Sequence, residues 1–431
     1  MDVGVLDGRI VSVGDLREEP SRERLHVDGL TIIPGVIDTH VHFREPGFEH
    51  KEDLETGSRA AVLGGVTTVF EMPNTQPQTT SAEALQDKLD RANGRACCNY
   101  AFWIGATKEN ASRLGELESM PGTPGVKAFM AGAEGELLIP DDQTLRRVLQ
   151  NGVRRVALHS EDHARLESRK LEHGEPRSAA DHPFIRDAEC ARLATERLLR
   201  LAKETGRPVH ILHLSTADEV PLIERARGEG IDVTAEVTPH HLYFQAPEAY
   251  ARLGSLIQMN PPIREASHRS ALWSALTRGF FDAIGSDHAP HTVAEKRRPY
   301  PASPSGMPGV QTLLPVLLTL ALEERLLGLA ALVSLLTEKH ARLFGIEQKG
   351  LITPGYDADV AVLDPEARYV LKAPQIASKC GWSPYEGESL RGRVVHTLVA
   401  GKVVVRDGAL TGDSAGNPVR FVASRSPARS E

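Results

Sequence analysis

Apolar runs of strand length recur through the middle of this chain, and helical patterns separate them. The runs lie at 35–42, 67–73, 96–106, 125–131, 155–161, 208–215, 232–241 and 282–291. Helical periodicity falls between them at 51–63, 81–92, 141–150, 187–203, 217–229 and 265–278. Strands that are nearly continuously apolar and alternate with helices predict a parallel sheet covered on both faces. Eight such units predict an α/β fold of the (β/α)8 TIM-barrel type. A doubly wound open sheet is the competing arrangement, but no glycine-rich fingerprint follows the first strand. The ends read differently. Short β-prone pieces at 3–5, 9–13 and 25–27 are broken by Asp-Gly at 7–8 and 28–29. Similar pieces at 359–363, 394–399 and 402–405 carry turns at Gly401 and Asp407-Gly408. Asp-Gly between β-prone runs is a hairpin signal. The expected organisation is a small β-sandwich domain formed by both termini (1–34 and 346–415), a barrel over 35–345, and a loose tail over 416–431.

Composition narrows the class. Of 431 residues, 41% are hydrophobic and 25% charged, enough apolar surface to exclude disorder over most of the length. No apolar run reaches the roughly 18 residues of a membrane span. The opening MDVGVLDGRIVSVGDL lacks a basic region ahead of an apolar block, so no secretory signal is expected. Four cysteines do not make a disulfide framework, which points to a reducing, cytoplasmic setting. A net charge of −8 argues against nucleic acid and leaves a small molecule as the expected partner.

The 17 histidines cluster, and they cluster at the ends of the apolar runs. His40 and His42 end the first, Asn74 follows the second, and Lys127 lies in the fourth. His159 ends the fifth, His213 the sixth, His240 and His241 the seventh, and Asp287, His288 and His291 the eighth. Barrel enzymes build their sites at this face, so the order of residues alone predicts convergence. His40 and His42 stand at i and i+2, on one side of a strand, and neutral imidazoles so placed suit a zinc-like ion. His159, His213 and Asp287 occupy matching places. Four histidines and an aspartate exceed the needs of one four-coordinate ion and suit two. Lys127, inside the apolar GVKAFMA, either snorkels to the strand end or adds carbon dioxide to become a bridging carboxylate. Asp287 could cap the next helix. Alternatively it binds metal, takes the proton of an attacking water and passes it to the leaving nitrogen. Arg44, two residues past His42, can take a carboxylate in a fork, or pair at the surface with Glu45.

Five motifs in order carry a resemblance: HVHFREPG at 40–47, EMPNT at 71–75, HILHLS at 210–215, NPPIR at 260–264 and SDHAPH at 286–291. Together they resemble the dihydroorotases, which are zinc-dependent cyclic amidohydrolases of pyrimidine biosynthesis. The likeness runs from about residue 34 to 345 and continues in GWSPYEGESLRGRV at 381–394. It implies reversible hydrolysis of L-dihydroorotate to N-carbamoyl-L-aspartate. It implies two Zn2+ ions bridged by a carbamylated lysine and a hydroxide. His40, His42 and Asp287 would hold one ion, His159 and His213 the other, with Lys127 between them. Arg44, Asn74 and His291 would grip the substrate carboxylate and Asn260 the ring. It implies a homo-oligomer, dimer or tetramer. Relatives that open allantoin or hydantoin rings share the metal constellation but not the need for Arg44, and a scaffold that has lost activity would be free to lose ligands. Three positions depart from the common pattern: Lys127 where several bacterial relatives have aspartate, Gln311 where many have glutamate, and His182 where arginine is common.

Overall fold

A computed structural model describes residues 1–133, 135–323 and 327–422. Eight parallel strands form the barrel. They are Val36–Val41, Val66–Glu71, Asn99–Phe102 continued by Ile104–Gly105, Val126–Phe129, Val156–His159, Val209–Ile211, Val233–Val237 and Ala283–Ile284. Trp103 interrupts the third strand. Its indole Nε1 donates to the Thr39 carbonyl at 3.1 Å, so the bend is tied to the first strand. The main-chain nitrogen of His42 donates to the His288 carbonyl at 2.7 Å, and Val41 bridges His288 in parallel, which closes the ring. Most barrel strands are buried throughout, as expected of strands covered by helices on one side and packed on the other.

The six anticipated helices are present as Leu54–Leu63, Ala82–Ala92, Asp142–Gln150, Ala188–Thr205, Glu219–Gly228 and Ala266–Thr277. Several begin at residues whose side chains take up a free backbone N–H: Asp53 from Thr56 at 2.8 Å, Ser81 from Ala84, Asp141 from Thr144 and Asp187 from Cys190. Three more helices, Leu313–Glu323, Leu329–Leu336 and Glu338–Phe344, follow the last strand.

Both ends of the chain meet in a five-stranded antiparallel sheet. Its order is Ala409–Leu410, Lys402–Arg406, Ser389–Val399, Val360–Val370 and Thr31–Pro34. Asp2–Leu6 and Arg9–Gly14 form a separate hairpin, joined through Ile10 to the Tyr356 carbonyl at 2.9 Å. The third N-terminal strand is Thr31–Pro34, not the β-prone 25–27, because 31–34 finds partners at 360–363 and 25–27 finds none.

The expected loose tail is corrected where it is described. Residues 416–422 dock at the N-terminal end of the third strand: Tyr100 donates to the Asn417 carbonyl and Val419 to the Tyr100 carbonyl, at 3.1 and 2.9 Å. Phe421 packs on Phe70. Gly416 permits this approach, since a Cβ there would lie 2.0 Å from the Cys98 carbonyl oxygen. Residues 423–431 of that expectation lie outside the described residues. The four cysteines are buried and unpaired. Among the described residues no helix is long and apolar enough to cross a membrane.

Away from the cavity, Arg207 and Glu118 form a buried ion pair, and Glu118 also accepts from the main chain at Val153 and Arg154. Removing one partner of such a pair strands the other charge in a dry site. Arg207→Met is expected to lower unfolding free energy by about 3 kcal/mol, read as a shift in the denaturant midpoint. Adding Glu118→Gln should recover much of that loss. An unmoved midpoint in the single variant would count against the pair.

Candidate active site

The strand ends surround one cavity of about 920 Å³, lined by His40, His42, Arg44, Asn74, Lys127, His159, His213, Asn260, Asp287 and His291. The ten residues given metal or substrate roles from the sequence are therefore brought to one place. Three of them sit in left-handed backbone: Arg44 at φ 67°, His213 at 38° and Asp287 at 45°. Such backbone is costly for a side-chain-bearing residue and persists where surrounding structure imposes it, as it does at functional sites.

His40, His42 and Asp287 bring ligand atoms within 4.8 Å of one another. The hydrogen bonds fix which ring atoms face inward. His40 Nδ1 lies 2.8 Å from Glu236 Oε1, and His42 Nδ1 lies 2.7 Å from Asn74 Oδ1. Each Nδ1–H donates to its oxygen, which leaves the Nε2 lone pairs pointing inward. Both Nε2 atoms then face one carboxylate oxygen, Asp287 Oδ1, at 3.2 and 3.3 Å. Two lone pairs against an anionic oxygen call for a positive charge among them, which a proton or a metal ion can supply. With a proton supplying that charge, burial still pushes the Asp287 carboxyl up, but the charge on His40 and a hydrogen bond from protonated His42 outweigh it and hold it well below the usual carboxylate range.

In the second pair the tautomer is fixed at one ring. His159 Nε2 donates to Glu161 Oε2 at 2.7 Å, so its Nδ1 is a lone pair, and it faces His213 Nε2 at 3.0 Å. Glu161 is itself held by Arg186. The His213 ring stands 5.2 Å from that of His40, so the two pairs are neighbours. Lys127 Nζ is buried in this group with no hydrogen-bond partner, 4.3 Å above the Phe129 ring. Burial lowers its pKa to about 7, against the pull of Asp287 and Glu236. Inward lone pairs, a shared carboxylate and an unpaired amine fit a pair of divalent ions.

Arg44 is buried, and its Nε donates to the Pro290 carbonyl at 3.1 Å. Among the described residues no carboxylate lies within ion-pair distance of it. Burial lowers its pKa to about 10, which leaves it a cation. His291 Nε2 lies 3.0 Å from the Ser305 carbonyl and its Nδ1 3.1 Å from Lys51 Nζ. Nε2 therefore carries the proton and donates to Ser305, and Nδ1 accepts from Lys51. Arg44 Nη2, 3.2 Å from that Nε2–H, finds no acceptor there and remains available to a ligand. Gly306 lets the loop close on this ring, since its φ is 134° and a Cβ would stand 3.0 Å from His291.

The sequence reading missed three contributors, Glu236, Arg186 and Lys51, and gave Glu161 only a supporting or surface place. Glu236 lies inside a buried strand, and an acid there is itself a signal. Glu161 stands two residues past His159, just beyond the strand, and its carboxylate meets the His159 ring. Arg186 and Lys51 carried no local signal, because their partners are distant in the chain. Asn74 and Asn260 reach the cavity, but each has its side-chain oxygen engaged, by His42 and by His182 at 3.0 Å. Gln311 does not line the cavity. It accepts from the Ala377 main chain at 2.9 Å and donates to the Gln375 carbonyl, so it joins the barrel to the closing sheet segment. His240 and His241 also stand back from it, the latter held by Thr238 at 2.7 Å.

The amidohydrolase family profile matches residues 31–404. An allantoinase of Rubrobacter xylanophilus is 36% identical over 427 residues, 97% of this chain and 94% of that one. A dihydroorotase of Methanosarcina mazei is 36% identical over 393 residues, 88% of this chain and 85% of that one. Among solved structures, the L-hydantoinase (dihydropyrimidinase) from Arthrobacter aurescens superposes with a TM-score of 0.91 at 29% identity, covering 97% of this chain and 95% of that one.

Proposed function

The chain belongs to the amidohydrolase family, and from that footing we propose that it is a dihydroorotase, interconverting L-dihydroorotate and N-carbamoyl-L-aspartate. The observation that carries this reading is Arg44, a buried guanidinium lining the cavity with no carboxylate among the described residues within ion-pair distance. A buried charge without a partner is expensive, so the site is built for an anionic ligand. Dihydroorotate carries an exocyclic carboxylate. Allantoin and hydantoin rings do not.

His40, His42 and Asp287 would hold one zinc ion, His159 and His213 a second, with carbamylated Lys127 between them. When bound there, such a pair supplies a nucleophilic hydroxide near neutral pH and draws electron density from the scissile carbonyl. The protein's own residues do the rest. Arg44 takes the carboxylate and Lys51 keeps His291 in one tautomer beside it, so the ring enters in a single orientation. Asp287 accepts the proton of the attacking water and delivers it to the ring nitrogen as the amide carbon–nitrogen bond breaks. Glu236, Asn74 and Glu161 hold the three histidines they touch in the tautomers that point a lone pair inward.

Ring opening of L-dihydroorotate, allantoin and hydantoin by the zinc-loaded protein tests the reading. Dihydroorotate alone should be opened rapidly. Arg44→Met should raise KM at least about a hundredfold for that substrate, the scale of a lost charge-assisted contact with a buried partner. The likeness to allantoinases supports the rival reading, and opening of only the uncharged rings would overturn ours.

A further inference from the structure

His182 begins the short helix His182–Ile185 and is buried, and both of its ring nitrogens are used. Nε2 lies 2.8 Å from the Met259 carbonyl and 3.0 Å from Asn260 Oδ1, and Nδ1 lies 3.1 Å from the Tyr300 hydroxyl. A carbonyl only accepts, so Nε2 carries the proton and Nδ1 accepts from the tyrosine. Burial, aided by the charge of Arg186, lowers the pKa of His182 to about 3, so the ring is neutral at working pH. Because Nε2–H is a donor, Asn260 must turn its oxygen toward it. The amide's amino group is then the end left for the cavity that Asn260 lines. Tyr300, also lining the cavity, stands edge-on to the His182 ring at 5.6 Å. One imidazole thus joins its own helix, the 258–260 segment and the loop that carries Tyr300.

We propose that His182 is a positioning residue. It fixes the Asn260 amide as a hydrogen-bond donor toward a carbonyl oxygen of the bound ring and couples that donor to the Tyr300 loop. The ligand class is a cyclic amide bearing such an acceptor. The proposal rests on the reading that a ring of this kind is opened here.

The test measures kcat, KM and unfolding midpoint on L-dihydroorotate. The zinc-loaded wild type is compared with His182→Phe, His182→Gln, Tyr300→Phe, Asn260→Ala and the His182→Phe/Asn260→Ala pair. Phenylalanine keeps a planar ring without nitrogens. It should raise KM about tenfold, the scale of one lost hydrogen bond, with a smaller loss in kcat. Glutamine can return an amide N–H to the Nε2 position and should restore most of that loss. Once Asn260 is alanine, removing His182 should add no more than about twofold, because the two act as one unit. Multiplicative effects, an unchanged KM in His182→Phe, or a glutamine variant as impaired as the phenylalanine one would overturn the proposal. If His182→Phe does not fold, Tyr300→Phe with and without Asn260→Ala carries the same comparison. A wild type that opens no ring refutes the underlying reading. An active wild type with multiplicative effects refutes the role of His182 alone.

Discussion

Asp287→Ala is expected to lower kcat for ring opening by about 10⁴-fold or more while leaving KM within a few-fold. Two losses combine. The carboxylate is the anionic member of the His40–His42–Asp287 group, 3.2 and 3.3 Å from the two Nε2 atoms. Of the two carboxylates that line the cavity among the described residues, Asp287 and Glu167, it is the one set against the His40–His42 pair. On the proposed mechanism, removing it takes away both the acceptor for the water's proton and the donor to the departing nitrogen. Positioned proton transfer contributes about 10²–10⁴-fold by itself, and a weakened ion site adds to that. Substrate affinity should be largely kept, because Arg44 and His291, not Asp287, are proposed to hold the carboxylate. Asp287→Asn keeps the shape and loses the base, so it should fall nearly as far. Metal content measured alongside separates the two contributions. A variant that turns over within tenfold of the wild type would remove Asp287 from proton transfer.

Lys127→Ala is expected to cost about 10³-fold or more in kcat, with loss of bound metal. A buried amine without a hydrogen-bond partner, its pKa lowered to about 7 by burial, is in part neutral near physiological pH. A neutral amine adds to carbon dioxide, forming a nitrogen–carbon bond and releasing a proton. The product is a carboxylate placed where Asp287, His159 and His213 converge. Zinc-loaded protein prepared in isotope-labelled bicarbonate should show the label in a carbamate carbon, and Lys127→Ala should show none. Fully active, metal-loaded protein without that carbon would sink the carbamate.

The local pattern was informative because barrel strands are buried on both sides. A polar residue at the end of such a strand stands out against an apolar run, which made His40, His159, His213 and Asp287 visible before any contact was known. The i, i+2 relation of His40 and His42 needed only the pleat of a strand. Helix limits were similarly local. Asp53, Ser81, Asp141 and Asp187 announce their helices through their own side chains. The hairpin at the N-terminus followed from Asp-Gly, but which strand joined the shared sheet did not, since 31–34 and 25–27 look alike until 360–363 selects one. Gln311 shows the converse error. A residue can differ from a familiar pattern and still spend both ends of its amide on main-chain contacts away from the cavity.

By itself, the order of residues determined the eightfold alternation, the sheet shared by the two ends and the set of side chains that converge, because burial and strand periodicity act over a few neighbours. Tertiary structure decided what each of those side chains does. Whether an imidazole points a lone pair inward depends on Glu236, Asn74 and Glu161. Of these, Glu236 is 196 residues from its histidine and Asn74 is 32. Whether Arg44 is a surface cation or a buried one left free of an ion pair depends on what packs around it, and among the described residues no carboxylate comes within ion-pair distance. That is a property of the packed surroundings, and no stretch of sequence can carry it.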